Sequence, residues 1–93
     1  MEKIVTARSC LEAFFAEVRE ERSSKFHHFV LHDGAYSFEL IFDRSFLDHI
    51  RPEQLAWFQE HMASQIIPVV KANAEKRIFI SDRGIELRGK DSS

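Results

Sequence analysis

The dipeptide Asp33-Gly34 constrains this chain more than any other feature, because it stands between two runs that alternate in hydrophobicity, 26–32 and 36–43. Both central positions of a type I′ turn need positive φ, which Asp-Gly supplies at low steric cost, so the segment reads as a β-hairpin. In the second run Tyr36, Phe38, Leu40 and Phe42 share one face, and Ser37, Glu39, Ile41 and Asp43 share the other. A two-residue turn on Asp33-Gly34 pairs Leu31 with Tyr36 and Phe29 with Phe38. Leu31, Phe29 and His27 then join the aromatic, core-facing row. Val30, His28 and Phe26 face the opposite way, with His28 directly across from Glu39.

A half-apolar hairpin needs a second layer, and two helical stripes supply one. Ala7, Cys10, Leu11, Phe14, Phe15 and Val18 recur at helical spacing, and Ser9 and Glu12 stand as a capping box requires. The first helix is therefore expected from Ser9 to Ser23-Ser24, with Glu17, Arg19, Glu20, Glu21 and Arg22 on its solvated side. Lys3, Ile4 and Val5 are left for a short strand. Ser45 and Asp48 bracket a helical turn through Phe46, Leu47 and Ile50. Pro52 suits the first position of a further helix, whose buried stripe is Leu55, Phe58, Met62, Ile66, Val69 and Val70. Pro68 falls inside that stripe, so a kink is expected there, or an end at Ile67. Runs 77–81 and 85–88 flank Asp82-Arg83-Gly84 and form a second hairpin, Gly84 taking the left-handed position.

These elements predict an α+β fold in two layers. An antiparallel sheet of two hairpins, extended by the short strand at 3–5, carries two helices on one face in the order (β)αββαββ. Residues 1–88 are expected to form one domain and 89–93 a frayed polar tail. A chain of 93 residues supports one modest core, to which nine Phe contribute disproportionate area.

Composition then narrows the function classes. A single cysteine, Cys10, rules out an intrachain disulfide framework. No leader-like opening and no apolar run of membrane-spanning length is present, so a cytoplasmic location without a membrane partner is expected. Residues 1–60 hold seven Lys/Arg against eleven Asp/Glu, a net of −4, whereas residues 61–93 hold six against four, a net of +2. That asymmetry is too mild for a strong polyanion binder.

No side-chain constellation specifies a reaction. His28 and His32 project to the same side of one strand but stand about 13 Å apart along it, and His27 faces the other way, so no zinc site forms. Asp48, His49, His61 and Asp43 offer acid–base groups without any spacing that brings them together. Cys10 lies on an apolar stripe and reads as a small core residue. The three glycines are isolated, so no phosphate loop exists, and neither G-x-S-x-G, H-E-x-x-H nor C-x-x-C occurs. No cofactor or metal is implied.

Two binding surfaces remain. Arg77, Arg83 and Arg88 cluster on the second hairpin with Phe79 and could follow a phosphate backbone, although Glu75, Asp82, Glu86 and Asp91 offset them. The stronger signal is apolar residues that the core does not need. Trp57 lies with His61 on the far side of the second long helix, and Phe26, Val30 and Ile41 lie on the second sheet face. Such surplus marks an interface. The expectation is a non-enzymatic, protein-binding regulatory module that self-associates as a homodimer. A weak nucleic-acid binder is the alternative, followed by a small metal-dependent or acid–base enzyme using the histidines. Size and style are those of small bacterial or phage accessory proteins.

Overall fold

The computed structural model describes residues 2–74 and 76–89. Helix α1 (Glu2–Phe14) leads into three strands, β1 (Glu17–Arg22), β2 (Phe26–Asp33) and β3 (Tyr36–Asp43). A helical crossover follows, containing α2 (Arg44–His49), a 3-10 turn (Pro52–Gln54), α3 (Leu55–His61), a π turn (Met62–Ile66) and α4 (Ile67–Ala72). Strands β4 (Lys76–Ser81) and β5 (Gly84–Gly89) end the described chain. The fold is α+β, with one five-stranded mixed sheet in the order β1-β2-β3-β4-β5. The frayed tail expected beyond Gly89 lies outside the described residues.

The first helix differs most from its expectation. It starts seven residues before Ser9 and ends at Phe14, so residues 3–5 are helical and residues 17–22 are a strand. Within the helix Ala7, Cys10 and Leu11 are buried, while Phe14 is 42% exposed. Phe15 and Val18 continue the apparent stripe from outside the helix. Phe15 enters the core beside Phe38, 5.2 Å between ring centroids, and Val18 points inward from β1 opposite Leu31. Strand β1 forms because β2 otherwise offers a bare edge, and tertiary pairing overrides the local preference of a Glu- and Arg-rich segment.

The first hairpin forms with its faces as expected and its register two residues off. Asp33 pairs with Tyr36, Leu31 with Phe38 and Phe29 with Leu40, so the turn sits on Gly34-Ala35. Gly34 has φ +65°, and no described non-glycine residue has positive φ. The turn thus follows the type II′ pattern, with glycine first, because a type I′ turn would also force Ala35 to positive φ. A shift of two leaves every side chain on its face. His27, Phe29, Leu31, Phe38, Leu40 and Phe42 are buried, although Tyr36 lies beyond the reach of the helices and is 66% exposed.

The expected all-antiparallel sheet is not observed, since β3 and β4 run parallel through the pairs Leu40–Ile78 and Phe42–Ile80. Only a crossover can join parallel neighbours, and segment 44–72 provides it. Pro52 opens its 3-10 turn as expected, and Gln54 Oε1 accepts the Arg51 backbone N–H at 3.0 Å. Pro68 does not end the helix at Ile67. The helix widens into a π turn just before it, in which the Ile67 N–H donates to the Met62 carbonyl, and then continues to Ala72. Local π adjustment is a known way to seat a proline inside a helix. Phe58, Met62, Ile66 and Val70 stay buried as expected, while Leu55 and Val69 are half-buried.

The second hairpin turns on Asp82-Arg83, with Ser81 paired to Gly84 at φ +109°. The core lies between one sheet face and the helices. Phe42 is its centre, edge-on to Phe29 at 5.9 Å and to Phe58 at 6.2 Å. Burying each such ring contributes about 1.5–3 kcal/mol. No described helix is long and apolar enough to cross a membrane.

Candidate protein interface

Because the helices occupy one side of the sheet, its other face carries no second layer among the described residues. Register places Phe26, His28, Val30 and His32 of β2 on that face, with Glu39 and Ile41 of β3, Arg77 and Phe79 of β4, and Glu86 and Arg88 of β5. Phe26 is 38% exposed and meets Phe79 edge to face, with centroids 6.1 Å apart at 74°. The Arg88 guanidinium lies 4.5 Å from the centre of the Phe79 ring, a cation–π geometry. Phe26 and Phe79 line two grooves, one of about 400 Å³ with His28 and Arg77, the other of about 340 Å³ with Asp43 and Arg88. The two rings therefore form a ridge between the grooves. Ile41 is only 6% exposed, closed over by its neighbours, and Val30 is half-buried.

Charge surrounds the ridge in compensated form. Glu39 approaches His28 Nε2 at 3.0 Å and Arg77 Nε at 3.5 Å with its two oxygens. The expected His28–Glu39 neighbourhood is thus present, but diagonal: His28 stands opposite Ile41 and Glu39 opposite Val30. Arg88 pairs with Glu86 along the same strand. Of the three arginines expected to meet phosphate, Arg77 and Arg88 are therefore already matched to carboxylates, and Arg83 sits in the exposed turn of the second hairpin. On this face Glu17, Glu21, Glu39, Asp43 and Glu86 outnumber Arg19, Arg77 and Arg88.

Trp57 and His61 do not belong to this surface. They lie on the outer side of the helical layer, across the molecule from Phe26, with Trp57 52% exposed and the two rings stacked at 5.0 Å and 10°. The remaining histidines also separate. His49 reaches Asp82 at 3.2 Å rather than His61, and Asp43 caps α2 by accepting the Ser45 N–H at 3.0 Å. No cluster of three His, Cys, Asp or Glu with metal-binding geometry occurs among the described residues.

One polar group in the interior was hidden by the helical reading of 17–22. Glu20 points inward from β1, accepts from Arg8 Nη1 at 2.6 Å, and meets His27 Nε2 at 3.0 Å. Arg8 also reaches Glu12 at 3.1 Å and the Val18 carbonyl at 3.3 Å. His27 is fully buried and its Nδ1 has no hydrogen-bond partner. Burial pushes the imidazole below its usual range, against the opposing pull of Glu20. For Glu20 burial works upward, but the hydrogen bonds from Arg8 and His27 outweigh it and hold the carboxyl below its usual range. Hydrogen bonds to Glu20 and Glu12 raise Arg8. Enclosed from solvent, His27 cannot reach a substrate. The group is a structural tie between α1, β1 and β2. A strand reading of 17–22 would have revealed it, since alternation then turns Glu20 inward.

Cys10 is buried, with Sγ 3.9 Å from the Gln59 carbonyl, and burial pushes its thiol up. Both features suit a core residue rather than a nucleophile. Comparison with protein-family models, curated proteins and solved structures finds no match to this chain.

Proposed function

We propose that this protein is a non-enzymatic binding module that docks a protein partner on the open sheet face. The observation that carries the reading is the Phe26–Phe79 ridge, an aromatic pair standing between two grooves on a face without a helical layer. Aromatic anchors in grooves with a charged rim are the usual energetic centre of protein interfaces. The mixed and slightly acidic rim suits a protein partner of mixed charge better than a polyanion.

The test uses a partner captured from the native host, identified, and bound again in pure form. Phe26→Ser should weaken that complex about tenfold or more, and Trp57→Ala should leave it within about twofold. A pure partner that binds Phe26→Ser as tightly as the parent chain, yet loses affinity on Trp57→Ala, would sink this assignment.

A further inference from the structure

The two edges of the sheet are guarded differently. Strand β1 exposes no apolar side chain: Val18 is buried, and Glu20 beside it is held by Arg8. Strand β5 is exposed along its whole length, and on its helix-facing side Ile85 and Leu87 are 39% and 43% exposed because the helical layer stops short of it. Among the described residues, β4 is the one strand that pairs with β5. Between Gly84 and Arg88, alternate residues of β5 therefore turn their N–H and C=O outward, as an edge strand does when it can accept a further strand.

We propose that two copies of this chain pair antiparallel through β5, joining their sheets into one of ten strands. Charge selects the register. With Leu87 opposite Leu87 of the second copy, Glu86 stands opposite Arg88 twice, once on each side of the two-fold axis. Sliding the strands by two residues in one direction sets Glu86 against Glu86, and in the other direction Arg88 against Arg88. Like charges directly opposite are destabilising and opposite charges stabilising, so the sequence Ile85-Glu86-Leu87-Arg88 accepts one register and rejects its neighbours. An axis perpendicular to the sheet keeps both helical layers on one side. Leu87 is then covered by its counterpart, with Ile85 of each copy diagonal to Leu87 of the other, and the two Phe26–Phe79 ridges lie on the same open face. The inference is independent of what that ridge binds, because it concerns the edge of the sheet and not its face. A single pair of short strands is a small interface, so the dimer is reversible.

Sedimentation velocity on the full chain at increasing concentration, up to about 200 µM, tests this. The parent chain should dimerise. Glu86→Arg and Arg88→Glu each set like charges across both pairs and should weaken the dimer about tenfold or more. An equimolar mixture of the two variants restores opposite charges and should dimerise again, whereas Phe26→Ser should leave self-association unchanged. In a Cys10→Ser background, Leu87→Cys should form an interchain disulfide. Ile85→Cys should not, since its counterpart stands about 13 Å along the strand. A parent chain that stays monomeric, a dimer indifferent to both charge changes, or a mixture that stays monomeric overturns the proposal. Should either charge variant fail to fold, the cysteine pair alone decides it.

Discussion

His27 Nε2 lies 3.0 Å from Glu20 Oε2, and the same carboxylate is gripped through its other oxygen by Arg8 at 2.6 Å. This relationship explains why a segment rich in Glu and Arg becomes a strand. As a strand, 17–22 completes the edge of β2 and gives a fully buried imidazole an acceptor that no apolar neighbour could provide.

Removing Glu20 should therefore cost more than a surface carboxylate would. Glu20→Ala is expected to lower unfolding free energy by about 2 kcal/mol, since it leaves the His27 Nε2 buried without a partner. Chemical denaturation checks the value. A double-mutant cycle with His27→Phe should show coupling of about 1 kcal/mol or more; additive effects would mean that the two groups do not support each other.

Stability should fall on mild acidification. The folded pKa of His27 is depressed below its ordinary 6.5, so the unfolded chain binds more protons as pH drops past that value. Its contribution is complete above pH 6.5 and is lost as pH falls through the folded value. Glu20, depressed below its ordinary 4.5, adds a second loss at still lower pH. Thermal melting across this range should show His27→Phe flattening the upper part of the profile and shrinking the lower part, since Glu20 loses one of the two hydrogen bonds that hold its carboxyl down.

Both turn glycines should resist replacement by asparagine. Gly34 at φ +65° opens a type II′ turn, whose first position combines positive φ with a ψ outside the left-handed region that Asn tolerates. Gly84 at φ +109° lies outside that region as well, although an added Cβ at either position meets nothing within 4 Å. Gly34→Asn and Gly84→Asn should each cost about 1–3 kcal/mol. Denaturation midpoints of both variants, measured beside the parent chain, settle this. A variant as stable as the parent would contradict it.

Cys10 should be unreactive in the folded protein. Its thiol is buried and pushed above its usual range by that burial, so alkylation must wait for opening of the α1–α3 contact. The labelling rate should rise to that of an unfolded thiol in denaturant, and Glu20→Ala should accelerate it in native buffer. Rapid labelling of the intact native chain would show that α1 does not stay packed on α3.

The division between local and tertiary information falls along particular residues. The row Phe29, Leu31, Phe38, Leu40 and Phe42, and its separation from Phe26, Val30 and Ile41, were legible from alternation alone. An error of two residues in the turn cannot move a side chain across a sheet whose period is two. The crossover stripe of Phe58, Met62, Ile66 and Val70 was legible for the same reason, since the π turn before Pro68 kept the stripe inward. Local pattern also gave Trp57 its outward position, but not its separation from Phe26, because which side of the sheet a helix covers is a property of the whole fold.

What the sequence by itself determined is thus a set of faces: which side chains turn inward and which outward on the first hairpin and on the crossover helix. Tertiary structure alone decided the strand at 17–22, the parallel neighbourhood of β3 and β4, and the burial of Glu20 against His27. Each of these depends on hydrogen bonds to a strand distant in sequence, and no local periodicity records such a partner. The open ridge at Phe26 and the unguarded edge at β5 follow from those same long-range choices.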